Sequence, residues 1–525
     1  MPSSTIAGVP SAAVGGRPPR ELLLTGLASS LAAALALVVS LSVRTPNLGL
    51  SFAVAAGAIA VVALIAIPRL EVTVTVLVLY LGLFDGPVKL LSASQAASSV
   101  RDVLIGAICL GALARLSARH ERLRLPPLTG WVLVFVALVL AEALNPSTHG
   151  IVKVIGGFRQ QLEWVPFFFF GYALMRSRSR FRHLFAILGV LALANGVVST
   201  YQTGLTPAQL ASWGPGYAEH VHGGAGLTAQ RYRASNGELV VRPPGLGSDS
   251  GFGGSVGLIA LPGILVLLAS GSRRWRLLAI PLGAGAILAI ATGLGRLQVV
   301  GAAIAVVLFA LLCLSAGRRA RAPLLAVLAL LALAAPIGVV LASTESSGFF
   351  SRYASIAPGS VVTTSTSYKE ESLALLPHYV ARAPFGFGLA TAGPAAGFGG
   401  NSKEQLEGHG VTAETQYNYV EDELGLPGLI LWVALTLTLV ALVAVRLPRV
   451  RDTGVRIELA AVFAVVFAYS VMGLRGAFMD SASGAPFFWF ALGIAAYWLA
   501  GPGLRQPAEG AQRSIPALAA RGART

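Results

Sequence analysis

The sequence predicts an all-α integral membrane protein: a polytopic bundle of about 14 (12–14) transmembrane helices with two long extracytoplasmic loops. Two observations predict this fold class. Of the 525 residues, 55% are hydrophobic and only 12% are charged, whereas a soluble chain typically carries about twice that charge. Apolar runs also recur from Glu21 to Gly501, and about 20 apolar residues suffice to cross a hydrocarbon core of ~30 Å.

The apolar runs divide the chain into a long membrane domain, 21–501, and two short tails. The predicted spans are 21–43, 48–67, 72–91, 101–118, 129–145, 161–176, 184–203, 255–270, 277–294, 297–315, 323–343, 425–446, 456–474 and 485–501. Residues 1–20 form an N-terminal tail. Residues 502–525 are rich in Arg, Ala, Gly and Pro, a composition that predicts a disordered C-terminal tail.

Two connections are much longer than the others, at about 204–254 and 344–424. Loops of this length without a strong helical or strand pattern are often functional or disordered. The second loop contains one predicted amphipathic helix, Ser367–Arg382, with apolar side chains on one face.

The distribution of charge predicts the orientation in the membrane. The net charge of +16 comes from basic residues in short clusters between spans. With the N-terminus inside, the inner segments hold most of the 39 Lys and Arg residues, and the outer segments hold most of the 23 Asp and Glu residues. This asymmetry predicts a multi-pass membrane protein in contact with membrane lipid, with both termini cytoplasmic. The sequence contains no basic stripe with interleaved aromatic residues, the pattern that would indicate nucleic-acid binding.

Three arginines lie at the predicted outer edge of the bundle: Arg159, Arg242 and Arg296. Guanidinium groups bind phosphate oxygens bidentately and stay charged, so three of them on one membrane face suit a diphosphate. A nearby carboxylate, Glu414, could act as a general base toward a hydroxyl. The alternative is that each arginine extends to the outer lipid headgroups.

Seven segments together resemble, in order along the chain, the O-antigen ligase/polymerase family of bacterial membrane proteins. The segments are AEALNPSTHG (141–150), GGFRQQLEWVPFFFFGY (156–172), LANGVVSTYQ (193–202), RPPGLGSDSGFGG (242–254), TGLGRLQVVG (292–301), ARAPFGFGLATAG (381–393) and ETQYNYVEDELGLPG (414–428). The resemblance covers roughly 75–500. Gly295 stands where that family usually has serine in its short Ser-Arg hairpin.

The resemblance implies a metal-independent glycosyltransferase without cofactors that uses an undecaprenyl-diphosphate-linked glycan at the outer face of the membrane. It assigns Arg159, Arg242 and Arg296 to the diphosphate leaving group, with Arg296 also catalytic. In ligases of this family the last motif begins with a histidine, and Glu414 occupies that position here. This departure favours a polymerase, or a relative with another envelope acceptor, over a ligase. Further candidate residues are Gln416, Tyr417, Glu423 and His409.

Two other classes of function stay open from the sequence. One is a transporter or flippase of an envelope lipid or solute, although such proteins usually place charges near the bilayer midplane. The other is a non-catalytic scaffold that binds other polysaccharide assembly proteins. A scaffold would tolerate the loss of Glu414 and of the three arginines.

Overall fold

The computed structural model describes residues 63–65, 67–92, 95–118, 125–148, 150–223, 229–233, 237, 239–270, 272–317, 321, 323–324, 327, 353, 373–397, 415–479 and 481–505. This part is nearly all helical. Its first half contains α1 (Leu70–Leu83), α2 (Asp85–Ser92), α3 (Gln95–Ala118), α4 (Thr129–Glu142), α5 (Gly150–Leu162), α6 (Pro166–Leu174), α7 (Arg178–Thr203), α8 (Pro207–Ala211), α9 (Pro215–His222), β1 (Arg231–Arg233) and β2 (Leu239–Val241). Its second half contains α10 (Phe252–Leu268), α11 (Arg273–Thr292), α12 (Arg296–Leu314), α13 (Leu376–Arg382), α14 (Gln416–Arg446), α15 (Thr453–Met472) and α16 (Gly484–Trp498).

Five of these helices, α7, α11, α12, α14 and α15, are long and apolar enough to cross a membrane. The bent pair α1–α2 makes a sixth candidate span, and α4, α10 and α16 are shorter apolar helices. The chain is therefore a membrane-embedded helical protein, but the predicted count of about 14 spans is not confirmed. The predicted span 21–43 and most of 48–67 and 323–343 lie outside the described residues.

Two predicted spans are each broken into two helices, which hydropathy did not reveal. The run 72–91 forms α1 and α2, which are bent by 46°. The run 161–176 begins in the last turn of α5 and continues as α6. Pro87 and Pro166 explain both breaks, because a proline lacks the N–H group and its ring clashes with the carbonyl four residues earlier. Those carbonyls belong to Leu83 and Leu162, the last residues of α1 and α5.

The helix α14 is also broken, at Gly425, and it starts well before the predicted span 425–446. Gly425 has φ 61° and ψ −163°, a conformation that side chains disfavour. Pro427 follows two residues later and has no N–H group to donate to Glu423. The segment before the break, from Gln416 to Leu424, is therefore a separate helical arm whose residues are almost all buried.

Helices α7, α10 and α11 pack against one another, and α10 also contacts α12 and α15. Small residues bring α7 and α11 close together, since a Cβ atom on Gly196 would lie 2.4 Å from the carbonyl oxygen of Gly285. Helix α6 packs on α16, and α4 packs on α14. One end of this bundle contains the C-terminal ends of α7, α11 and α15 and the N-terminal ends of α10, α12 and α14. We call it the loop end.

The first long loop is more ordered than its sequence indicated. It contains α8, α9 and an antiparallel hairpin in which Tyr232 pairs with Val240. Leu90 of α2 packs with Leu210, Tyr217 and Val221 in a small apolar cluster. Periodicity could not predict these elements, because the helices have five and eight residues and the strands three each.

The second long loop and the tails are described only in part. The predicted helix Ser367–Arg382 appears as α13, while 367–372 lies outside the described residues. The segment 393–397 forms a 3₁₀ turn. At the C-terminus, Pro502–Arg505 is also a 3₁₀ turn, and neither 1–20 nor 506–525 belongs to the described part.

Candidate functional site

The glycine-rich segment 242–251 is held at the loop end by two amide side chains of α7. The Gln202 side chain accepts a hydrogen bond from the Gly245 N–H (2.8 Å) and donates one to the Gly245 carbonyl (3.1 Å). The Asn195 Oδ1 atom accepts from the Leu246 N–H (3.0 Å), and its Nδ2 donates to the Gly82 carbonyl of α1 (3.1 Å). Both amides are buried. They satisfy backbone groups that have no helix or sheet partner.

Arg242 is the first residue of this segment and directly follows strand β2. Its backbone N–H donates to the Gln230 carbonyl, and its guanidinium Nη1 donates to the Gln230 Oε1 (3.2 Å). Its carbonyl accepts a hydrogen bond from His220 Nε2 of α9 (2.8 Å). Burial lowers the pKa of His220 below its usual value. The first long loop therefore fixes the backbone of Arg242 through a histidine whose neutral form is favoured by burial.

Arg296 is the first residue of α12 and follows a tight turn in which Leu294 has φ 51°. Its Nε atom is buried and has no hydrogen-bond partner within the described part of the chain. Two residues later, the Gln298 side chain lies against Gly251, where a Cβ atom would approach its Nε2 to 2.9 Å. The hairpin that carries Arg296 and the segment that follows Arg242 are thus in direct contact.

A polar cavity of about 840 Å³ opens where these two segments meet. It is lined by Asp249, Ser250, Gly251, Phe252, Ser255, Leu297, Gln298, Pro394, Tyr469, Met472, Gly476, Ala477, Phe478, Ser481, Ala482 and Ser483. Ser250 joins it to Arg242, because its hydroxyl donates to the same Gln230 Oε1 (2.5 Å). Hydroxyl, amide and carboxylate groups along one wall can bind a polar ligand such as a sugar.

An apolar cavity of about 1020 Å³ meets the polar one, since Phe252, Ala482 and Ser483 line both. Its other walls come from α1, α6, α7, α10 and α16. It reaches Glu71 and Arg180 at the opposite end of the bundle. The two adjoining cavities thus place an apolar lining next to a more polar one.

Gln416 is fully buried and supports the last loop. Its Oε1 accepts hydrogen bonds from the N–H groups of Phe478 (2.9 Å) and Met479 (3.0 Å). Its own N–H donates to the Gly473 carbonyl (2.8 Å). Gln416 therefore positions one wall of the polar cavity, to which Phe478 contributes. Tyr417 is half-buried and does not line that cavity.

The segment PFGFG, 384–388, packs against the break in α14. The Leu426 N–H donates to the Pro384 carbonyl (2.9 Å), and the Phe387 N–H donates to the Asp422 carbonyl (2.7 Å). Gly386 has φ 78° and faces Gly425 so closely that a side chain on either would overlap the other backbone. An open helix break inside a membrane protein requires such replacement hydrogen bonds.

Glu423 is buried among amide donors. Its carboxylate accepts hydrogen bonds from the Nε2 atoms of Gln160 (2.8 Å) and Gln161 (2.7 Å) and from the Ala392 N–H (3.3 Å). Glu423 lies between α5 and the helical arm of α14 and does not line the polar cavity. Glu421 and Asp422 are also fully buried, and their neighbouring side chains interact with each other.

Arg159 belongs to a different group of charges. In the last turn of α5 its Nε pairs with Asp102 Oδ2 (2.8 Å). Next to it, Arg101 pairs with Glu163, with Nη2–Oε2 at 2.6 Å, and lies 3.7 Å from Asp85. We call these side chains the paired-charge cluster: Asp85, Lys89, Arg101, Asp102, Arg159 and Glu163.

Comparison of the chain with known protein families, characterised proteins and solved structures finds no match. In the part of the chain that the structure describes, no group of three or more His, Cys, Asp or Glu side chains could hold a metal ion.

The structure brings Arg242 and Arg296 to neighbouring segments beside the polar cavity and places Arg159 in the paired-charge cluster. Glu414 and His409 lie outside the described residues. The amides that hold the segment 242–251 and Glu423 were not singled out by the sequence analysis; they are Asn195, Gln202, Gln160 and Gln161. The sequence did contain a signal for Asn195 and Gln202, because they lie in an apolar helix, where amides must find hydrogen-bond partners.

Proposed function

We propose that the protein is a metal-independent membrane glycosyltransferase. It polymerises or transfers an undecaprenyl-diphosphate-linked oligosaccharide in cell-surface polysaccharide biosynthesis. The loop end would face the outside of the cytoplasmic membrane, with both termini in the cytoplasm. The observation that supports this proposal best is the junction of an apolar and a polar cavity at Phe252, Ala482 and Ser483. An amphiphilic donor has the same two parts: a hydrocarbon chain and a polar diphosphate sugar.

The chemistry follows from the charges near the junction. When an acceptor hydroxyl attacks C1 of the donor sugar, the C1–O bond breaks and the diphosphate leaves with the electron pair. Arg296 and Arg242 stand on the two segments that border the polar cavity, where a guanidinium can stabilise this charge. The paired-charge cluster would then fix the neighbouring helices, with Arg159 the least available of the three arginines.

Reconstitution of the purified protein tests the proposal. The protein is mixed with an undecaprenyl-diphosphate oligosaccharide from the native cell, with a chelator and without nucleotide. We expect a glycan ladder and release of undecaprenyl diphosphate. Arg273→Ala, which removes an exposed arginine at the opposite end of the bundle, is the matched control and should behave like the wild type. Intact carrier and no ladder would contradict the proposal.

A transporter or flippase is the second candidate function, and the broken helices favour it. Many transporters bind their substrate where helices are interrupted. Here the α1–α2 bend and the break at Gly425 lie beside buried carboxylates, Asp85 and Glu423. The two functions differ in the fate of the carrier. Movement of intact lipid-linked glycan across a liposome bilayer without carrier release would support transport. Neither activity, with complex assembly intact, would indicate a scaffold.

A further inference from the structure

Asp249 is the single charged side chain among the described residues that line the polar cavity. The other lining residues are apolar or offer neutral hydroxyl, amide and backbone groups. Asp249 is exposed, although most residues around it in this segment are buried or half-buried. A carboxylate at this place can accept a proton from a bound hydroxyl and pass it to water.

The backbone holds Asp249 at the start of α10. Its carbonyl accepts a hydrogen bond from the Phe252 N–H (3.2 Å), and Gly251 adopts φ 87° at the N-cap. The neighbouring Ser250 is tied to Gln230, and Gly251 is packed against Gln298. These contacts fix the segment while leaving the Asp249 carboxylate on the cavity surface. The same contacts connect it to the segments that carry Arg242 and Arg296.

We propose that Asp249 is the general base that accepts the proton of the acceptor hydroxyl. This proposal rests on the glycosyltransferase function proposed above. In the step, the acceptor oxygen forms a bond to C1 of the donor sugar, and the bond between C1 and the diphosphate oxygen breaks. The hydroxyl proton moves to the Asp249 carboxylate, which later releases it to water. The diphosphate keeps the electron pair of the broken bond, next to Arg296.

A structural role is the competing explanation for Asp249. The carboxylate interacts electrostatically with Lys89 of the paired-charge cluster and with His220 of α9. If its only role were to balance these groups, its loss would disturb the fold around α2 and α9. A small external base could not repair that damage. A missing general base can be replaced by such a molecule when the substitution leaves space for it.

The test uses the full-length protein in the reconstituted ladder assay. We expect Asp249→Asn and Asp249→Ala to lower the initial rate of glycan transfer by about 100-fold or more, the usual contribution of a general base. Binding of the lipid-linked donor should stay unchanged. Formate should restore part of the rate to Asp249→Ala and none to Asp249→Asn, in which the amide fills the space. Glu219→Gln, which alters a carboxylate of α9 outside the cavity lining, is the matched control.

Each other result has a distinct meaning. An Asp249→Ala rate near that of the wild type would overturn the role of Asp249 while leaving the proposed function intact. A slow Asp249→Ala protein that formate does not rescue, with a lowered melting temperature, would overturn it in favour of the structural role. Full formate rescue of Glu414→Ala, with Asp249→Ala active, would assign the base to Glu414. No ladder with the wild-type protein would overturn both proposals.

Discussion

Arg159 and Arg296 have the same side chain at the same end of the bundle, but their surroundings differ. Arg159 pairs with Asp102 inside a cluster that holds four more charged side chains. Arg296 forms no ion pair among the described residues, and it stands on a segment that borders the polar cavity. An arginine already paired with a carboxylate gains less from a bound anion than an arginine with an open donor. We therefore expect Arg159 to support structure and Arg296 to bind the ligand.

A similar contrast holds between the paired-charge cluster around Arg159 and the segment 242–251, which contacts the hairpin of Arg296 through Gly251 and Gln298. Charges join α2, α3 and α5 in the paired-charge cluster, whereas neutral amides hold the segment 242–251 to α7. At the opposite end, Glu458 is buried between Arg178 (3.5 Å) and Arg182 (3.7 Å). Charges that are matched within the protein stabilise it or align its helices. The guanidinium of Arg296, which forms no ion pair among the described residues and precedes the cavity-lining residue Leu297, is available to a ligand.

The largest effect should follow from Arg296→Ala. We expect a loss of glycan transfer of about 100-fold or more, because one donor to a developing anion contributes on that order. Arg296→Lys should keep part of the activity, since lysine retains the charge but not the planar pair of donors. Protein abundance should not change in either variant. A normal ladder from Arg296→Ala would remove the role we assign to it.

Asn195→Ala should have the next largest effect. It leaves the Leu246 N–H and the Gly82 carbonyl buried without partners, and each such group costs about 1–3 kcal/mol. We expect a lower melting temperature in detergent that does not depend on salt, because no charge is involved. Thr200→Ala is the control on the same helix, since that exposed hydroxyl bonds only to the Gly196 carbonyl. An unchanged melting temperature of Asn195→Ala would show that the amide does not hold the segment.

The pair Arg159 and Asp102 should show a smaller effect, on stability more than on catalysis. A double-mutant cycle with Arg159→Ala and Asp102→Ala should give a coupling energy of about 1 kcal/mol, weakened by salt. Transfer activity of Arg159→Ala should stay well above that of Arg296→Ala. Loss of activity as severe as in Arg296→Ala, with no coupling to Asp102, would mean that Arg159 also binds the diphosphate.

The sequence predicted the helices better than it predicted the site. Apolar runs mark most helices of the described part because burial in lipid or protein needs apolar residues over the whole length. The breaks after Leu83 and Leu162 were missed because a hydropathy average does not detect the proline that follows. The kink at Gly425 was missed because that residue was taken as the start of a span. The prolines and the glycine that cause these breaks were visible in the sequence.

The partners of the site residues could not be predicted in the same way. Arg159 meets Asp102 and Glu423 meets two glutamines only after α5 has packed on α3 and on the arm of α14. Sequence proximity does not show such contacts. Asp249 also had a visible signal, a carboxylate in a glycine-rich segment, but its position on a cavity wall depends on where α12 lies.

The smallest expected effect is a loosening of the first long loop in acid. His220 is buried and its pKa is lowered from 6.5, so the unfolded loop binds a proton more readily than the folded loop. The stabilisation is complete above about pH 6.5 and is lost as the pH falls from there toward the folded pKa. We expect weaker hydrogen-exchange protection of α8 and α9 at pH 5.5 than at 7.5, after correction for intrinsic exchange rates.

His220→Gln should remove most of this pH dependence, whereas His222→Gln should keep it, because the His222 side chain is exposed. An equal pH dependence in the wild type and in His220→Gln would assign it to other groups. His220 also affects Arg242, because the carbonyl of Arg242 accepts the hydrogen bond from His220. If acid loosens this contact, donor binding through Arg242 should weaken with α9 protection, while the Arg159–Asp102 pair stays intact.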